Sequence, residues 1–126
     1  MFGENVGVHS SVAVALGAVG GATTRWAIGE ALASDGFPWA TLLVNLVGCA
    51  AIGWFAIRLE RGSVAWYFVV TGVLGGFTTA SAFAAEARQL LDDGRGGVAL
   101  AYVAASTVGG IGAVAAARRS GLGRAR

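Results

Sequence analysis

Three runs of the chain carry no charged side chain at all: residues 37–57, 62–85 and 96–117. At 1.5 Å per residue each reaches about 30 Å or more as an α-helix, which matches the hydrocarbon core of a bilayer. A fourth run, residues 10–24, is shorter, and becomes long enough when 6–28 is counted with Arg25 inside it. The sequence therefore predicts a single all-α membrane domain over residues 1–126. Its four transmembrane helices are expected near 6–28, 37–58, 63–90 and 97–117, with a basic, disordered tail over 118–126. Composition agrees, because 56% hydrophobic and 13% charged residues are too apolar for an ordinary soluble protein of this size. Residues 1–10 hold Glu4 and no basic side chain, so they lack the positive start of a signal peptide, and the first helix is expected to be retained.

One run does not read as lipid-facing helix. Residues 72–83 (GVLGGFTTASAF) put glycines, hydroxyls and aromatics into the middle of the third span. Two adjacent glycines followed by two threonines weaken a helix, through backbone entropy and stiff β-branched side chains. This predicts a break. Unwound backbone at that depth persists only where protein covers it or water meets it, and its freed carbonyls can face a cation. The stretch thus points to an ion site.

Polar side chains fall in register on the neighbouring helices. Thr41, Asn45 and Gly48 are spaced by four and three residues, so they share a face of the second helix. Asn45 reads either as a hydrogen-bonding link between helices or as a donor of two N–H groups to an anion. Tyr102, Ser106 and Gly109 form a similar face on the fourth helix. Thr79, Ser81 and Phe83 would flank a path after the break, and Glu86 with Arg88 marks its exit. Phe83 alone reads as core, but beside hydroxyls its positive ring edge can favour a small anion. Gly17 and Gly21 have the spacing that lets another helix approach closely. Arg25 is open to two readings, an arginine snorkelling beside Trp26 at the membrane edge or an anion-attracting vestibule.

Several function classes are set aside by what the chain contains. The single Cys49 sits mid-span and allows no internal disulfide or cysteine metal site. His9 is the only histidine and has no nucleophile or metal cluster near it in sequence, so the chain is not expected to be an enzyme. The nine basic residues are all arginine, lie at span ends and in the tail, and have no aromatic interleaving of the kind that binds nucleic acid. A small multidrug-type exporter has a similar size. Proton-coupled export needs a membrane-embedded acid, and Glu4, Glu30, Glu60 and Glu86 all read as outside or at span ends.

The motifs at 17–26 (GAVGGATTRW), 40–53 (ATLLVNLVGCAAIG) and 72–86 (GVLGGFTTASAFAAE), with Tyr102 and Ser106, resemble the CrcB/Fluc fluoride channels across all four helices. The resemblance implies a passive, fluoride-selective channel in the cell (inner or plasma) membrane that lowers cytoplasmic fluoride. It implies an antiparallel, dual-topology dimer with two pores and one structural, untransported sodium ion at its centre. Carbonyls at Gly75 and Thr78 correspond to the sodium ligands. The ion pathway would comprise Thr41, Asn45, Thr79, Ser81, Phe83, Tyr102 and Ser106, with Arg25 at the vestibule. The implied partners are fluoride, the lipid bilayer, and a second copy or a homologous subunit.

The departures from the family pattern bear on that partner. Where the family reads TTFSTFS, this chain has Ala80 for the first phenylalanine and Ala82 and Ala84 for two hydroxyls; Ala40 replaces a glycine. The chain is in this respect similar to members that work only as heterodimers, one subunit having a degraded pore face. Arg58, Arg61, Arg118, Arg119, Arg124 and Arg126 fall on the side of the termini, against Arg25, Arg88 and Arg95 opposite. Such a bias favours one orientation with cytoplasmic termini. A chain that pairs with its own inverted copy should have almost none. A non-conducting or half-conducting subunit of a heterodimer is therefore the alternative reading.

Overall fold

The computed structural model describes residues 2–34 and 36–123. Its elements are α1 (Phe2–Ala31), α2 (Trp39–Phe55), α3 (Val64–Trp66), a π-helical stretch (Tyr67–Leu74), α4 (Gly75–Phe77), α5 (Ala80–Asp92) and α6 (Gly96–Gly123). No strand occurs among the described residues. The helical course Val64–Asp92 and the helix Gly96–Leu122 are long and apolar enough to cross a membrane, and Trp39–Phe55 is a shorter apolar helix. This all-helical, apolar build is that of a membrane protein.

The turns follow their local chemistry. Ser34 Oγ donates to the Phe37 carbonyl at 2.9 Å, and Pro38 immediately precedes α2. Gly62, at φ +85°, makes a turn that a side chain would strain, and Ser63 then caps α3 by accepting the Trp66 N–H at 3.1 Å. At the end of α5 Gly94 takes φ +72°. There Arg95 N–H returns to Leu90 C=O at 2.8 Å and Gly94 N–H to Leu91 C=O at 3.0 Å, the paired bonds of a Schellman motif.

Two expected boundaries differ. Helix α2 ends at Phe55 rather than near 58, and a turn over residues 56–58 follows. Helix α6 continues through Arg118 and Arg119 to Gly123, where a disordered tail was expected from residue 118. The added residues include two glycines, poor helix formers, but gain a surface to rest on: Gly121 lies directly against Ile57 and near the Trp54 ring. Arg124 and Arg126 of the tail, and Asp35 of the first link, lie outside the described residues.

The bundle is organised as two parallel helix pairs. Gly17 and Gly21 of α1 meet the course of Val64–Asp92, where Gly72 and Gly76 repeat the same four-residue spacing. A Cβ at Gly72 would stand 2.8 Å from the Val14 carbonyl oxygen, and one at Gly76 would overlap the Ala18 carbonyl. Backbone therefore touches backbone, the contact that small residues allow between membrane helices. In the second pair, Gly53 of α2 faces Val114 and Ala117 of α6, and Gly109 faces Leu46. A buried cluster of Leu42, Leu90, Ala99 and Tyr102 joins α2, α5 and α6, with Phe37, Leu46, Phe83, Ala87 and Val98 packed around it.

Candidate functional site

The unusual backbone of the third course lies after its glycines, not at them. Gly75 and Gly76 are helical, whereas Thr78 (φ −80°, ψ 159°) and Thr79 (φ −148°, ψ 122°) are extended. β-Branched threonine accepts that geometry readily. Asn45 reaches across from α2 to hold it: its Oδ1 accepts the Thr79 N–H at 2.8 Å and its Nδ2 donates to the Thr79 carbonyl at 2.9 Å. The amide of one side chain thus pairs with both backbone groups of one residue. Thr79 also caps α5, its Oγ1 accepting the Ala82 N–H at 3.2 Å, and it stands 3.3 Å from Ser81 Oγ.

This arrangement changes where carbonyls point their acceptor capacity. In a continuous helix the Thr79 N–H would return to Gly75 C=O, and here it goes to Asn45 instead. Thr78 Oγ1 donates back to Leu74 C=O at 2.9 Å. The Thr78 carbonyl accepts Arg25 Nη1 at 3.1 Å, so the guanidinium of α1 is half-buried against the extended segment. Among the described residues no group of three or more His, Cys, Asp or Glu could hold a metal ion. A cation here would depend on backbone oxygen. The Gly75 and Thr78 carbonyls are hard neutral donors of the kind that suits sodium, and Gly75 has open space where a side chain would stand. In donor chemistry the two residues fit the ion.

A groove of about 440 Å3 opens on this segment. Its lining includes Asn45, Gly48, Gly75, Thr78, Thr79, Ala80, Phe83 and Ser106. Ser106 Oγ is buried and has no hydrogen-bond partner in the structure. A buried hydroxyl left in this way is an open position for a further polar group, since such atoms are nearly always paired.

A second cavity, of about 480 Å3, lies at the end of the bundle formed by the 32–38 and 86–95 links. Thr41, Glu86, Gln89, Asp93 and Arg95 supply its polar lining. Between the cavities stands Tyr102, which is 0% exposed. Its ring lies 5.3 Å from that of Phe83 on one side, and its hydroxyl donates to Glu86 Oε2 at 2.7 Å on the other. Thr41 Oγ1 donates to Glu86 Oε1 at 2.7 Å. Both carboxyl oxygens of Glu86 therefore receive a short hydrogen bond.

The match with known proteins agrees with this build. Residues 12–118 match the family described as "CrcB-like protein, Camphor Resistance (CrcB)". The chain belongs to the CrcB family. Among its CrcB relatives is the "Fluoride-specific ion channel FluC 1" of Streptomyces coelicolor, 44% identical over 107 residues, which cover 80% of this chain and 70% of that one. The "Fluoride-specific ion channel FluC" of Bordetella petrii is 44% identical over 105 residues, 79% of this chain and 81% of the relative. That of Chloroflexus aurantiacus (strain ATCC 29366) is 39% identical over 124 residues, 93% and 97% of the two chains. These relatives are named as ion channels, not as enzymes.

In this CrcB protein the residues singled out by sequence fall into four places. Asn45, Gly75, Thr78, Thr79, Phe83 and Ser106 line the groove. Ser81 is exposed beside Thr79. Thr41 and Tyr102 meet at Glu86, and their hydroxyl hydrogens are committed to it. Arg25 contacts Thr78 rather than standing free at an edge.

Glu86, which lines the cavity at the end of the bundle, has partners that the sequence reading did not assign to it. Expected at an exit, it lies within α5, half-buried and bonded to α2 and α6. The signal for it is the spacing Thr79, Phe83, Glu86, Leu90, which runs down one helical face. Membership of the CrcB family also weighs against a multidrug exporter.

Proposed function

We propose that the chain is a subunit of a fluoride-specific channel that lets fluoride leave the cytoplasm passively across the cell membrane, as a multi-pass protein. The observation that carries this reading is the groove in which Asn45, Thr79, Phe83 and the unpartnered Ser106 hydroxyl converge. It occurs in a chain whose relatives bear that name. Fluoride is small and firmly hydrated, so a path for it must replace that water with hydrogen-bond donors. Here the second N–H of Asn45, the hydroxyls of Ser106 and Ser81, and the ring edge of Phe83 serve that purpose. Thr41 and Tyr102 act through Glu86 rather than as free donors.

A single copy leaves the groove open along Gly75, Thr78 and Ala80. In our reading a second copy in inverted orientation closes it, giving an antiparallel dimer with two pores. The carbonyls of Gly75 and Thr78 would hold a structural sodium ion where the copies meet. That ion supplies a fixed positive charge near the paths and joins the two extended segments. Glu86, Tyr102 and Phe83 keep the chain's own wall in place, and Asn45 keeps Thr79 extended.

Fluoride efflux from liposomes holding the purified chain alone, read with a fluoride electrode against a chloride control, tests the function. Fluoride efflux without chloride efflux is the expected result. Ala80 favours a second reading, because it stands exposed on the groove where the family pattern has phenylalanine. On that reading the chain is silent alone and conducts only after co-reconstitution with a homologous subunit. No fluoride flux in either setting overturns both.

A further inference from the structure

The end of the bundle away from Glu86 carries charge that the channel reading does not use. It is formed where α2 ends, α3 begins and α6 ends. Arg58 lies over the Trp54 ring, with its guanidinium carbon 3.5 Å from the ring centroid, and Arg61 stands 5.6 Å from the centroid of Trp66. The helical extension of α6 brings Arg118 and Arg119 to the same end, because Gly121 seats its last turns on Ile57 and Trp54. Among the described side chains, these four arginines face one local acid, Glu60.

The opposite end differs in kind. Arg88 is paired with Asp92 at 3.2 Å, and Arg95 donates to the Gly36 carbonyl at 2.7 Å. Glu30 and Asp93 add negative charge there, beside Arg95. No salt bridge among the described residues engages Arg58, Arg61, Arg118 or Arg119.

We infer that this rim, Arg58, Arg61, Arg118 and Arg119 with Trp54 and Trp66, binds the phosphate headgroups of anionic phospholipids. Indole rings settle at the boundary between headgroups and acyl chains, so arginines stacked on them are held at phosphate depth. Guanidinium is planar, permanently charged and weakly hydrated, which suits bidentate contact with a phosphodiester. Clusters of four or more basic residues beside a membrane helix recognise anionic lipid. The ligand is a lipid rather than a free anion because exposed Val64 and Leu122 flank the arginines and offer apolar surface to acyl chains. The inference needs only that the chain sits in a membrane, and stands apart from what it conducts.

The test offers the full chain, purified in detergent, equal amounts of phosphatidylglycerol and phosphatidylcholine with matched acyl chains, and counts retained lipid by native mass spectrometry. The expected preference for phosphatidylglycerol is about tenfold or more, falling as ionic strength rises. The Arg58→Gln, Arg61→Gln, Arg118→Gln, Arg119→Gln variant should lose it, while Arg88→Gln at the opposite end should keep it. If the fourfold variant does not fold, Arg118→Gln with Arg119→Gln, both exposed on the last turns of α6, should weaken the preference severalfold. Equal retention of the two lipids by the native chain overturns the inference, as does a preference that survives the substitutions. Displacement of phosphatidylglycerol by millimolar inorganic phosphate would make the rim a free-anion site and overturn the assignment to lipid.

Discussion

Asn45 and Thr79 are joined twice, with the Asn45 amide accepting the Thr79 N–H at 2.8 Å and donating to its carbonyl at 2.9 Å. One side chain from α2 thus stands in for helical hydrogen bonds that the extended segment gives up. Asn45→Ala leaves both groups unpaired in a half-buried setting, at a cost of about 1–3 kcal/mol each. Loss of stability by about 2–4 kcal/mol in detergent is expected, together with loss of fluoride efflux. Asn45→Asp keeps an acceptor for the N–H but loses the donor and adds negative charge. It should fold better than Asn45→Ala in thermal melts and still fail to pass fluoride.

Glu86 ties three helices together, so its partners should couple. Tyr102→Phe and Thr41→Val each remove one short bond to the carboxylate, and each should cost about 1.5–3 kcal/mol. Made together they should not add, because the second substitution strips the last donor from a half-buried carboxyl. Denaturation of the single and double variants measures the coupling. Simple additivity would mean that Glu86 finds another partner.

Close approach makes some glycines irreplaceable and others not. Gly21→Leu sets a side chain against the Val73 carbonyl, and Gly76→Ala sets a methyl against that of Ala18, so neither variant should yield folded protein. Gly20→Ala meets nothing within 4 Å and should be neutral or stabilising by up to about 1 kcal/mol. Size-exclusion profiles and thermal melts of the purified variants distinguish these outcomes.

Arg25 and the proposed sodium ion share the Thr78 carbonyl. A guanidinium and a metal ion drawn to one oxygen repel each other, so Arg25→Gln should let sodium act at lower concentration. Titrating sodium against melting temperature, with potassium as control, checks this. An unchanged sodium midpoint would show that the two cations do not meet.

The uncharged runs were legible because they rest on local composition. So was the sharing of a face by Thr41, Asn45 and Gly48. Contacts that depend on a neighbouring helix were not. Nothing near Arg25 in the sequence announces Thr78 as its partner, and nothing near Glu86 announces Thr41 and Tyr102 from other helices. The tail read as disordered because nothing in its composition announces Ile57 as a surface for Gly121. The glycine pair drew attention to the right stretch, but Asn45 decides which residues leave the helix.

The π-helical stretch Tyr67–Leu74 accommodates extra chain within what would otherwise be a regular α-helix, as an inserted residue does. It works as a phase shifter. Upstream, the course presents Gly72 to α1; a few residues on, it must present Thr78 to Arg25 and Thr79 to Asn45. Rewinding Tyr67–Leu74 as plain α-helix with no residue removed would turn everything downstream by about 100°. Thr79 would then rotate out of reach of Asn45 with no change to either residue. In this chain the winding of the third course is as much a determinant of the site as the side chains that line it.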